Sequence, residues 1–409
     1  MDKKTNNNQN LPSSWRKVKL GEFLEINPSI KLERGKEYPY IDMSDVQPFS
    51  QIYDWFKRRI FNGSGAKFEN GDTIFARITP CLENGKIAYI NNLSVPGFGS
   101  TEFLVLRGKR GISDSRFIYY LSLSHKVRKL AEQSMIGVSG RQRVERGAFE
   151  KIEVEVPEDP NEQKRIADIL SAFDDKIEVN NKIVKILEEM AREIFKEWFD
   201  KKSKVKSQKS KFWETMKVGD LVWIISGYPF SSKLYNKSKK GIGVVTIKNV
   251  QDGNFITECD SFIEEEKIPK NINKECLISD GDILLSLTGN VGRVCFVYCG
   301  KYLLNQRVAK IKPKNPNDRA FIYFLFRQPD MQNLLINMAK GSAQPNLSPV
   351  ETGEIEITIP SREILDRLNK AINPMYEKLI KLKVENKKLA AMRDLLLTKL
   401  MIGEILIKN

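Results

Sequence analysis

The chain has 409 residues, 41% of them hydrophobic, and a formal net charge of +15. That length implies two or three domains with real cores, and no apolar run approaches the roughly 18 residues of a membrane span. The polar stretch Met1 to Asn10 lacks the apolar core of a secretory signal, and the positive balance fits a polyanionic partner without demanding one.

The first ten or so residues read as a frayed tail, residues 1–11. A globular stretch follows over residues 12–158. It opens on Ser14, Trp15, Val18, Gly21 and Glu22, carries Gly71 and Asp72 before an apolar strand, and ends on the strand from Lys151 to Pro157. A helical patch is predicted between Asp114 and Glu132. Loops dense in Arg, Lys, Asn and Gln are the places to look for base readers, because Arg and Lys suit guanine and Asn and Gln suit adenine. Here they hold Arg77, Thr79 and Lys86 around Cys81, and Arg141, Gln142 and Arg143 after Ser139 and Gly140. The run Tyr53 to Arg59 mixes rings with cations and suits phosphate contact or a strand with a half-buried aromatic face.

A long helix is predicted over residues 159–200. Asp159 suits the N-cap, Pro160 the first position, and Glu162 the place of a capping-box acid. Ile177, Asn180, Val184, Leu187, Ala191, Ile194 and Trp198 recur in steps of three and four, a heptad seam rather than a single wet and dry face. About 40 residues of helix span about 60 Å. Residues 201–212 then form a linker; Lys201 to Lys211 holds six lysines and three serines and almost nothing apolar.

The second globular stretch, residues 213–360, repeats the first. Trp213, Met216, Gly219 and Asp220 match Trp15, Val18, Gly21 and Glu22; Gly281 and Asp282 match Gly71 and Asp72; the strand from Glu354 to Pro360 matches that from Lys151 to Pro157. Alternating strands are predicted at Gly281–Leu287 and Arg293–Val297, and a helical patch at Pro316–Met338. The frameworks agree and the loops differ, which fits one fold used for two ligand surfaces. The candidate readers here are Asn290, Arg293, Lys340, Gln344 and Asn346.

Residues 361–409 hold a second long helix with the seam Leu379, Leu382, Asn386, Leu389, Arg393, Leu396 and Leu400. Asn386 is a polar seam residue of the register-fixing kind. Pro374 is expected to kink or break this helix, and Gly403 to end it. If the helices paired in parallel, the ends of the second globular domain would lie about 60 Å apart. Ends of compact domains are more often close, so antiparallel pairing is predicted. The fold class is α+β: two mixed α/β domains alternating with two long helices paired as an antiparallel coiled coil, a tandem repeat imitating a twofold dimer with unlike heads.

The residues offer little chemistry. Asn27-Pro28-Ser29 fails the Asn/Asp-Pro-Pro-aromatic loop that an amino-methyltransferase needs around a flipped base. Gly289 to Arg293 lacks the length and hydroxyl of a phosphate-binding loop. The acids Glu158, Asp159 and Glu162 are explained by capping, and His125 by an ordinary helix position. Cys81, Cys259, Cys276, Cys295 and Cys299 complete no zinc site and are predicted to be buried free thiols in a reducing cytoplasm.

With Gly71 to Lys86, Gly99 to Phe103, Gly281 to Arg293, Asn305 to Val308, and the junction from Val156 to Leu170, the chain resembles the specificity (S) subunit of type I restriction-modification systems over nearly its whole length. The second helix departs from the pattern by opening on Ser361 and containing Pro374. The resemblance implies two target recognition domains that each read one half of a bipartite, asymmetric double-stranded DNA site. It implies helices that set half-site spacing and dock two adenine-methyltransferase (M) subunits, with restriction (R) subunits able to join. It also implies no catalysis or cofactor in this chain. S-adenosylmethionine would be bound by the M subunits, and ATP and Mg by the R subunits. The competing readings are a self-sufficient DNA-modifying enzyme, against which the missing loops count, and a coiled-coil scaffold binding RNA or acidic proteins.

Overall fold

Each globular stretch is closed by its own first and last strands. Trp15–Lys19 pairs antiparallel with Glu153–Pro157, setting Trp15 opposite Pro157, and Trp213–Lys217 pairs with Glu356–Pro360 in the same way, setting Trp213 opposite Pro360. The ends of each domain therefore meet, as the antiparallel argument requires. The computed structural model describes residues 12–48, 50–52, 56–138, 140–204, 213–339 and 345–407. They divide into two compact units, residues 1–177 with 389–409, and residues 178–388. Each unit holds one globular domain and a part of both long helices.

The units repeat one topology. The first carries a five-stranded sheet in the order Leu24–Ile26, Phe103–Gly108, Thr73–Ala76, Ile87–Ile90, Ser50–Ile52, and a four-stranded sheet in the order Lys57–Ile60, Glu37–Ile41, Gly97–Gly99, Ala66–Phe68. In the second the orders are Val222–Ser226, Val308–Pro313, Ile283–Ser286, Val294–Phe296, and Phe262–Ile263, Ile242–Val245, Tyr302–Leu304, Leu277–Ile278. The expected in-out alternation of the central strands is not seen. Thr73–Ala76 and Ile283–Ser286 are buried throughout, because strands covered on both faces have no polar side to show.

The Gly-Asp repeat is a framework device. Gly71 and Gly281 have φ of +90° and +85°, a region that favours glycine. Asp72 accepts the Glu69 N–H at 2.8 Å and is held by Arg107 through two 2.7 Å bonds. Asp282 likewise accepts the Ser279 N–H at 2.9 Å and lies 3.1 Å from the Lys310 ammonium. Burial pushes the Asp72 carboxyl up, and Arg107 pulls against it.

Each predicted helical patch is two helices: Ser115–Leu123 and His125–Gln133 in the first unit, Arg319–Phe326 and Pro329–Ala339 in the second. Ser124 splits the first patch by capping the second helix, accepting the Val127 N–H. His125 is an exposed first-turn residue.

The first long helix runs Pro160–Lys204 and the second Arg362–Met401. Asp159 accepts the Asn161 N–H at 2.9 Å. Glu162 does more than sit in a first turn: its buried carboxylate accepts the Trp15 indole N–H at 3.0 Å. That bond ties the helix start to the closing strand pair. Trp15→Phe keeps most of the ring and orphans the acid, so it is expected to cost about 1–3 kcal/mol, measured by urea unfolding.

Pro374 does not break the second helix, which is continuous through it. The turns around it are clamped by packing: Leu368, Ile372, Tyr376 and Leu379 are all buried, and Asn369 and Asn373 donate to the Asp318 carboxylate and the Asn317 carbonyl. That packing outweighs one missing hydrogen bond.

The helices pair antiparallel. In the second unit Asn180 donates to Asn386 at 2.8 Å, and Asn386 to Asn181 at 2.9 Å. In the first, earlier on one helix and later on the other, Arg393 meets Asp174 at 2.5 Å. Within the second unit Val184, Ala191, Leu379 and Leu382 are buried, while Leu187, Ile194 and Asn386 are half-buried. Phe195 stacks on Phe321 with centroids 5.6 Å apart. Within the first unit Ile177, Leu389 and Leu396 are half-buried, and Leu397, Leu400 and Met401 join a core with Trp15, Val18 and Leu170. No helix among the described residues is long and apolar enough to cross a membrane.

Candidate nucleic-acid interface

Each unit brings some of its loop candidates to an equivalent crossing of backbone. In the first, the Arg77 N–H donates to the Glu102 carbonyl at 2.9 Å, the Val144 N–H donates to the Arg77 carbonyl at 2.8 Å, and Ile78 bridges Arg143. In the second, the Leu287 N–H donates to the Arg307 carbonyl at 3.0 Å, the Leu347 N–H donates to the Leu287 carbonyl at 2.8 Å, and Thr288 bridges Asn346. Three segments far apart in sequence meet in one pattern. The side chains on that pattern differ: Arg77, Glu102 and Arg143 in one unit, Leu287, Arg307 and Asn346 in the other.

The first unit separates its six candidates by role. Thr79 is buried, and its Oγ1 accepts the Gln142 N–H at 3.1 Å. The Lys86 ammonium donates to the Met43 carbonyl at 2.7 Å. Both are therefore bound into the framework. Arg143 is held by Glu102, its Nε donating to the two carboxylate oxygens at 3.0 and 2.9 Å and its Nη2 to one of them at 2.8 Å. Arg77 Nε stands 3.9 Å from the same carboxylate. Arg141 is exposed and Gln142 half-exposed beside them. A cleft of ≈ 340 Å³ adjoins this lip, lined by Asn27, Ser29, Lys67, Arg77 and Thr101 among others.

In the second unit Asn290 and Asn346 are exposed. Arg293 is half-buried, with its Nη1 donating to the side-chain amide oxygen Oε1 of Gln251 and its backbone N–H to Ser286 Oγ at 3.1 Å. Asn290, Arg293, Asp252 and Gln332 rim a cleft of ≈ 390 Å³ whose wall includes Ile336 and Pro345. Lys340 and Gln344 lie outside the described residues, as do Ser139, Tyr53 and Trp55. From the latter run, Lys57–Ile60 is an exposed edge strand. Arg58 pairs with Glu37 at 2.9 Å, and the Arg59 guanidinium lies 4.9 Å from the centre of the Tyr40 ring.

Two residues central to this geometry are not among the candidates read from the sequence: the acid Glu102, and Gln251, an amide outside the chosen loops. Glu102 stands 41 positions from Arg143, and Gln251 stands 42 from Arg293; nothing in either spacing links them. Among the described residues no group of three or more His, Cys, Asp or Glu could hold a metal ion. The five cysteines are free thiols; Cys259, Cys276 and Cys295 are buried, but Cys81 and Cys299 are only half-buried, contrary to expectation. Burial pushes the Cys259 thiol up to about 11, which leaves it protonated and unreactive near neutrality.

Comparison with known proteins gives a consistent set. The family model described as the type I restriction modification DNA specificity domain matches residues 12–189 and again 210–391. The chain is 27% identical over 427 residues to the type I restriction enzyme MjaIX specificity subunit of Methanocaldococcus jannaschii, covering 98% of this chain and 95% of that one. It is 25% identical over 466 residues to the type I restriction enzyme HindI specificity subunit of Haemophilus influenzae, covering 96% and 100%. Among solved structures, a type I restriction-modification system S subunit from M. genitalium superposes with a TM-score of 0.60 at 19% identity, covering 97% of each chain. That likeness is one of fold.

Proposed function

Because the chain belongs to the type I restriction modification DNA specificity domain family, matched over both of its halves, we propose that it is the non-catalytic DNA-reading subunit of a type I restriction-modification complex. Each globular domain reads one half of a bipartite, asymmetric site. The observation that carries this reading is the repeated backbone crossing dressed with unlike side chains. A framework used twice with Arg77, Arg141, Gln142 and Arg143 on one copy and Asn290, Arg293 and Asn346 on the other suits two different base sequences. The net charge of +15 supplies the phosphate attraction that any such reader needs.

The long helices set the half-site spacing and dock two methyltransferase subunits, and restriction subunits can join the complex. Support comes from apolar side chains that pairing leaves outside: Val179, Ile186 and Met190 in one unit, Met392 and Leu395 in the other, all about half exposed or more. The chain binds no cofactor itself; S-adenosylmethionine belongs to the methyltransferase subunits, ATP and Mg to the restriction subunits. The working compartment is the cytoplasm.

The test is direct. The purified chain mixed with labelled S-adenosylmethionine and DNA is expected to transfer no methyl group, and to support transfer once methyltransferase subunits are added. Methylation by the chain alone refutes the reading. Binding to the methylated sequence should weaken as log K against log salt with a slope of about −0.9 for each phosphate neutralised. A scaffold for RNA or acidic proteins would show no preference between specific and random duplexes.

A further inference from the structure

Resting on the DNA-reading assignment above, we infer that Glu102 is a positioning residue for recognition in the first half-site: it presents Arg143 edge-on to a guanine. The geometry decides which edge is offered. A guanidinium has five N–H donors. Glu102 occupies the Nε side, taking Nε on both oxygens at 3.0 and 2.9 Å and one Nη2 donor at 2.8 Å. The end-on edge made by Nη1 and the second Nη2 donor remains. That edge presents two parallel donors, the arrangement that pairs with guanine O6 and N7. The Arg143 side chain is the more open of the two, 42% exposed against 25% for Glu102.

The carboxylate has two further effects. A free arginine loses much of its rotamer freedom when it binds, whereas one already held in a fork loses less. The acid also discriminates among partners. It stands between Arg143 and Arg77, whose Nε is 3.9 Å from it. The carboxylate repels an approaching phosphate, which carries a full negative charge, more than it repels a neutral base edge. Arginine at this position therefore serves sequence rather than backbone. The second unit contains no such arrangement at the matched positions: Arg307 stands where Glu102 does, and Asn346 where Arg143 does.

The experiment uses the complex of the full chain with its methyltransferase subunits. Its probes are duplexes carrying the mapped site and versions in which each G·C pair of the first half-site is replaced singly by A·T. In the wild type one such replacement should lower binding by roughly five- to 150-fold. Glu102→Gln keeps the volume and removes the charge; it should shrink that one ratio at least several-fold, as should Arg143→Met, which has no donor to offer O6 or N7. Ratios for the second half-site should be unmoved in both variants, which also reports that the complex is folded. The inference is overturned if Glu102→Gln leaves the ratio intact, if it weakens all duplexes alike, or if the first half-site contains no guanine. A wild-type complex without preference for its mapped site would instead overturn the DNA-reading assignment itself.

Discussion

Replacing Arg393 by Met is expected to destabilise the first unit by about 3–5 kcal/mol, because it strands a buried carboxylate. Arg393 and Asp174 expose only 8% and 7% of their side chains and meet at 2.5 Å. Asp174 also accepts the Tyr120 hydroxyl at 2.6 Å and the Gln51 amide at 3.3 Å. Those two partners solvate the acid in part but cannot balance its charge. The Asp174→Asn, Arg393→Met double variant should recover part of the loss, since an amide keeps both neutral partners and carries no charge. Urea unfolding followed by fluorescence gives both values; a loss under 1 kcal/mol in the single variant would show that water reaches the acid.

Exchanging residues 12–157 for the matching domain of a relative should rewrite one half of the methylated sequence and leave the other half untouched. The cassette is physically separable because its ends meet: Trp15 lies opposite Pro157 in the closing strand pair. The contacts that cross the graft must survive it: the bond from the indole of Trp15 to Glu162, those of Tyr120 and Gln51 to Asp174 and those of the Gln163 amide to the backbone at Asp114 and Ile112, so an incoming domain needs matching groups at the side-chain positions. Mapping N6-methyladenine by single-molecule sequencing reads the outcome. Retention of the original sequence would remove the first domain from base reading.

How much of this was legible beforehand differs from one feature to another. The duplication was plain, because Trp15, Gly21, Gly71 and Asp72 reappear as Trp213, Gly219, Gly281 and Asp282. Each does a local job that no other residue does as well. The glycines at 71 and 281 take positive φ, and Gly21 and Gly219 bring a short helix against a second segment, where an added Cβ would lie 3.0 Å from Glu150 and 3.1 Å from the Gly353 carbonyl. The helix seams were legible for the same reason: a 3.5-residue period is written along contiguous sequence. Asn386, its partner Asn180 and Arg393 all stood in those seams, but Asp174, the partner of Arg393, did not. The break offered for Pro374 does not occur, because a local rule ignores the buried side chains that clamp the turns around it.

The reading surface was legible only as composition. Of the loops rich in Arg, Lys, Asn and Gln, those holding Arg77 and Arg143 meet at one backbone crossing, yet Thr79 and Lys86 turn inward to hold the fold while Glu102, an acid, pairs with Arg143. Sequence alone determined the repeat, the two long helices and their antiparallel sense, since all three follow from periodicity and chain connectivity. Tertiary structure alone decided which polar side chains are occupied and which remain available. A hydrogen bond forms between groups that are near in space, and strand pairing brings together residues dozens of positions apart that no local pattern connects.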